Sequence, residues 1–99
     1  MTGNEAEKSE EERWSERSIQ ELDRVLAAEP VYPPGTTREK AREFGLQFIE
    51  SIRRSKTSYL LYLLTHDRDI PIAVNNLKVL CLRLLTEEID RRFPVERHV

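Results

Sequence analysis

Apolar residues recur at helical rather than alternating spacing along this chain, and prolines and charged clusters divide them into segments. Ser9 with Glu12 three residues on has the form of a capping box, and Glu10 to Glu12 suit the positive end of a helix dipole. From there Trp14, Ser18, Leu22 and Val25 follow one helix face, flanked by Ile19 and Leu26. The stripe is thin, so this helix gains stability only by docking on another element. Pro30 ends it, because the residue before a proline avoids the helical region. Residues 9–29 are thus the predicted N-terminal helix. Residues 1–8 carry no hydrophobic pattern and are expected to be a disordered acidic tail.

Pro30-Val31-Tyr32-Pro33-Pro34-Gly35 reads as an extended linker over 30–36, in part polyproline II. Pro30 and Pro33 satisfy the minimal PxxP of an SH3 ligand, but no arginine stands at the flanking positions that orient such a peptide. A stiff turn with Tyr32 packed against the helices is the expected role. Thr36 and Glu39 then form a second candidate capping box, opening a helix at Thr37 or Arg38. Ala41, Phe44, Phe48 and Ile52 share a face that Tyr59 and Leu63 could extend, and neither proline nor glycine interrupts Leu46 to Asp67. Two readings stand: one helix of about 30 residues, about 45 Å long, or a break near Ser55–Ser58 where hydroxyls recap a second helix.

His66-Asp67-Arg68-Asp69 is polar punctuation. Asp67 or Asp69 can cap a final helix whose first turn holds Pro71 and which runs from about 71 to 93, stopping before Pro94 and a short tail over 94–99. Between Leu77 and Leu85, seven of nine residues are apolar, with only Lys78 and Arg83 interrupting. A helix apolar nearly all round is buried on several sides, and two neighbours of modest apolar content are not expected to cover it. The predicted fold is therefore all-α, with three or four helices: a long antiparallel hairpin (37–66 against 71–93) beside an acidic N-terminal helix. The uncovered surface predicts a dimeric bundle, or docking on a partner protein, through Leu77, Leu80, Leu82, Leu84 and Leu85.

Composition narrows the picture. Ninety-nine residues make one small domain, and 34% charged against 38% hydrophobic residues puts much of the chain on the surface. The longest apolar run, Tyr59 to Leu64, is far too short to span a membrane, and the polar stretch Met1–Glu5 does not resemble a secretory signal. A single cysteine allows no intramolecular disulfide and fits a reducing, intracellular compartment, cytoplasmic or nuclear. Net charge is −2, but residues 1–30 hold nine acids against four bases (−5) and residues 31–99 twelve bases against nine acids (+3).

Catalytic chemistry finds little footing. His66 with Asp67 is a fragment of a metal-dependent phosphohydrolase set, but the further ligands such a site needs are missing; near a helix C-terminus His66 is more simply a cation against the dipole. Cys81 sits mid-stripe on the most apolar helix, where burial raises a thiol pKa. Three isolated glycines make no phosphate loop. No enzyme activity, cofactor or metal is expected. A small metal enzyme held by His66, Asp67 and Asp69 is the least favoured alternative.

The helix from 37 to 56 is more informative. Drawn at 100° per residue, Arg38, Arg42, Arg53 and Lys56 form one stripe, Glu39, Glu43 and Glu50 a second, and the apolar residues a third. Such a basic stripe could contact the phosphates of double-stranded RNA or DNA without reading sequence. It could equally meet the acidic residues of the first helix (Glu11, Glu16, Glu21 and Asp23) within the fold. No aromatic side chain lies among the bases as a stacking platform. The expected function is a non-enzymatic interaction or regulatory protein that self-associates or docks through its last helix. The rival is a dimeric nucleic-acid-binding regulator using the basic stripe.

Overall fold

The computed structural model describes residues 8–94, and four α-helices carry the fold. They are α1 (Glu10–Ala28), α2 (Arg38–Ile52), α3 (Thr57–Thr65) and α4 (Asn75–Arg92), with a single 3₁₀ turn (Asp67–Asp69) after α3 and no strand among the described residues. The expected disordered tail lies outside the described residues apart from Lys8, as does the C-terminal tail beyond Pro94. Ser9 caps α1 as its spacing predicts: its side chain accepts from the Glu12 N–H while the Glu12 carboxylate accepts from the Ser9 N–H. Trp14, Ser18, Leu22 and Leu26 are the buried face, one residue every turn. Tyr32 folds back on this helix and donates its hydroxyl to the Leu26 carbonyl at 2.8 Å. A turn closed by Thr36 N–H to Pro33 O (3.1 Å) follows, with Gly35 at φ 83°, where a side chain would be strained.

The cap of α2 is Thr37 rather than Thr36, its hydroxyl accepting from the Lys40 N–H at 3.1 Å. The Thr36 N–H is already engaged in the preceding turn. The inward face of α2 is Ala41, Gly45, Ile49 and Ile52, so Phe44 and Phe48 sit only half-buried at its edge. Gly45 sets this rotation. A Cβ there would lie 2.5 Å from Leu22 Cδ1, so any larger residue would push the fully buried Leu22 out of its place between α1 and α2.

The segment 37–66 is two helices. Arg53 ends α2 and Lys56 opens α3 without any side-chain cap. The hydroxyls thought able to recap the break do not do so. Instead Arg92, at the end of α4, donates to the Ile52 and Arg53 carbonyls (3.3 and 3.2 Å) and to Thr57 Oγ1 (2.9 Å), holding both sides of the break. The bend carries Leu60 into the core at 1% exposure.

The start of α4 also differs from expectation. Asp67 and Asp69 belong to the 3₁₀ turn, and residues 70–74 form an irregular stretch turned at Pro71, where the Ile72 N–H donates to the Ile70 carbonyl at 2.8 Å; it places Ile70 and Val74 in the core. The last helix therefore begins at Asn75, and Pro71 lies outside it. α1, α2 and α3 each pack against α4, which forms the centre of the molecule.

Candidate interaction surface

The leucines expected to form an interface point inward. Leu77, Leu80, Leu84 and Leu85 are almost wholly buried within the single chain, and Leu82 is half-buried; on this helix Val79 is the well-exposed apolar side chain. The reason is architectural: three helices pack on α4, and Ile70 and Val74 join the same core, where the sequence reading allowed two helices. Cys81 lies among them, and burial pushes its thiol up to about 12, so it stays protonated.

The four bases of the proposed phosphate stripe are divided. Arg42 forms a paired contact with Asp23 (Nε–Oδ1 2.7 Å, Nη2–Oδ2 3.3 Å), whose carboxyl is held below its usual value by that hydrogen bond. Arg53 contacts Glu10 at 3.0 and 3.3 Å and stacks its guanidinium 4.4 Å above the Trp14 ring. Arg38 and Lys56 are exposed, but Lys56 lies beyond the end of α2, so no continuous stripe runs through all four. Arg83 adds a third link, to Glu21 at 2.9 Å. Bases of α2 and α4 thus meet acids of α1.

A buried ionic knot joins these elements, and sequence reasoning missed it. Glu88 is 1% exposed on the inner face of α4. Its carboxylate accepts from Arg91 (3.0 and 2.7 Å) and Arg92 (2.8 Å), and Arg53 Nε lies 3.2 Å away. Burial works to raise this carboxyl, but the hydrogen bonds from Arg91 and Arg92 and the charges of Arg91 and Arg53 outweigh it and hold it below the usual range. The signal was present: Glu88 follows Leu84 by one turn and precedes two arginines at i+3 and i+4.

The outward surface of α3 has a different character. Its nine residues, Thr57 to Thr65, include no charged side chain. Only Leu60 is fully buried, with Leu63 and Leu64 half-buried; Tyr59, Leu61 and Tyr62 remain 53%, 45% and 46% exposed. Tyr62 is fixed in place. Its hydroxyl donates to Asp69 Oδ2 at 3.0 Å, which raises its phenol pKa, and its ring stacks on His66 with centroids 4.2 Å apart. His66 itself caps the C-terminus of α3, its N–H reaching the Tyr62 carbonyl at 2.9 Å. Among the described residues no group of three or more His, Cys, Asp or Glu side chains is placed to hold a metal ion. A cleft of about 220 Å³ between the start of α2 and the stretch leading into α4 is lined mainly by Ala41, Phe44, Ile72, Val74 and Leu77, with Lys40 as its charged group. No helix among the described residues is long and apolar enough to cross a membrane.

Comparison of the chain with known protein families, with characterised proteins and with solved structures finds no match.

Proposed function

We propose that this chain is a non-enzymatic interaction module that docks on protein through the outer face of α3. One observation carries the reading: in a sequence that is 34% charged, α3 has no charge and leaves three large apolar side chains half-exposed. Tyrosine on an uncharged patch is the composition favoured at the centre of protein interfaces, where charged residues are depleted. Two further features fit. The protonated Cys81 thiol is buried away from any substrate, and the cleft between the start of α2 and the stretch leading into α4 has few convergent polar groups.

The contact moves from α4 to α3 because the leucines of α4 are already covered. Docking through them would require the core to open. The phosphate-binding reading is not favoured, since Arg42 and Arg53 would have to leave carboxylate partners on α1.

A photo-reactive phenylalanine analogue in place of Leu61, introduced in the cells that make the protein, tests the reading. A discrete protein adduct is expected at position 61 and not at the exposed Glu39 on α2. Absence of any discrete adduct at position 61 overturns it.

A further inference from the structure

Among the described helices α3 is the most lightly fastened. It buries Leu60 alone, where α1, α2 and α4 each bury at least four residues. Its main packing partners are α4 and the 3₁₀ turn, whereas α1 and α2 each pack on two other helices. Its polar bonds also turn inward on the segment 57–69. The Tyr62 hydroxyl donates to Asp69, the His66 N–H to the Tyr62 carbonyl, and the His66 ring stacks on Tyr62. These contacts tie α3 to its own 3₁₀ turn and not to α1, α2 or α4.

The junction with α2 has no stiffness of its own. The Arg54 and Ser55 N–H groups donate to the Ser51 and Ile52 carbonyls (3.0 and 3.4 Å), so the chain keeps turning past the end of α2. Lys56 then lies at φ −68° and ψ 145°. That φ already suits a helix, so Lys56 departs from helical geometry in ψ alone, a freely rotating bond. Neither proline nor glycine stands in the junction, and α3 opens with no side-chain cap and no acid in its first turn. What spans the junction is Arg92. Its guanidinium donates to the Ile52 and Arg53 carbonyls on one side and to Thr57 Oγ1 on the other, and Glu88 fixes it at 2.8 Å.

We propose that Arg92 is a latch: while its bonds hold, α3 stays on α4, and when they release, residues 57–69 leave as one unit while α1, α2 and α4 remain packed. This concerns the inner attachment of α3 and stands independently of the docking reading of its outer face. A released α3 unwinds, because nine residues are too few to sustain a helix alone. Its departure uncovers the side of α4 on which Leu60 is buried, an apolar surface that the closed chain hides. A segment with few buried contacts is where subglobal opening is expected.

Native-state hydrogen exchange of the full chain, resolved by residue in sub-denaturing urea and under conditions where reclosing outpaces exchange, tests the latch. The amides of residues 61–65 should share one opening, at least about tenfold less protected than the slowest amides of α1, α2 and α4. Arg92→Met should lower protection in α3 at least about tenfold, and that of the slowest amides by the same factor, since its bonds are lost in both openings. Thr57→Val removes one bond of the latch and keeps the side-chain shape; it should act in the same direction by a smaller factor. Leu22→Val, between α1 and α2, should lower the slowest amides roughly two- to tenfold and leave α3 unchanged, because that contact persists when α3 is open.

α3 amides as protected as the slowest overturn the proposal, as does a fall of α3 together with the others in Leu22→Val, for α3 then opens only with the whole molecule. Values that scatter along α3 without a shared response to urea report fraying and overturn the single unit. Unchanged α3 protection in both Arg92→Met and Thr57→Val shows that Arg92 is not the latch.

Discussion

Replacing Glu88 by glutamine keeps the shape of the side chain and removes its charge from the centre of the ionic knot. The carboxylate is fully buried and neutralises three guanidinium groups unequally. Arg91 is 48% exposed, so water takes up its charge and its share is at most about 1 kcal/mol. Arg53 and Arg92 are 9% and 17% exposed, and they are the groups the substitution strands. Removing one member of a buried ion pair costs about 3–5 kcal/mol. The low end applies here, because Arg92 keeps its bonds to the Ile52 and Arg53 carbonyls and to Thr57, and Arg53 keeps Glu10 and Trp14. A loss of about 3 kcal/mol is a large fraction of the ~5–15 kcal/mol that holds a domain together. Urea unfolding followed by far-ultraviolet circular dichroism should show it. With a slope of about 1–3 kcal/mol per molar, the midpoint should fall by roughly 1–3 M. A midpoint within about 0.3 M of wild type refutes the argument and makes the knot a surface-like pairing despite its burial.

The same carboxylate predicts a pH dependence. Its pKa is lower in the folded chain than the ordinary 4.5, so its contribution is complete above that value and is lost as pH falls through the depressed one. Wild-type stability should decline on acidification below about pH 4.5 and that of Glu88→Gln should decline less; parallel curves contradict the assignment. Gly45→Ala should destabilise by about 1 kcal/mol even though alanine favours helix by a similar amount, because its methyl group would intrude on the fully buried Leu22. A raised thermal midpoint for that variant shows that Leu22 can move aside. Cys81 should resist alkylation in native buffer at roughly pH 8 and react at once in denaturant; rapid labelling of the folded chain is the contrary result.

Local chemistry was legible in the sequence wherever neighbours in the chain supply the whole interaction. The Ser9–Glu12 capping box, the stop at Pro30 and the Trp14, Ser18 and Leu22 stripe depend on residues within a few positions of one another, so spacing alone determines them, although the stripe ends on Leu26 and leaves the expected Val25 only partly buried. The apolar density of Leu77–Leu85 likewise determined that α4 is enclosed on several sides. It did not say what encloses it, because a buried side chain needs cover and its own pattern is silent on which segment provides that cover. The tertiary structure decided that: a break at residues 53–56 settled the two readings of 37–66 as two helices, and the non-helical stretch 70–74 added Ile70 and Val74. The bend was itself undecided locally, since Ser55 and Thr57 fit either path. Arg92 settled it from 35 residues away by bonding to both sides of the break. Arg42 and Arg53 show the same division, for their stripe was readable from helical spacing but their partners were not. Contacts between residues far apart in the chain depend on how whole helices pack, and no window of sequence contains that geometry.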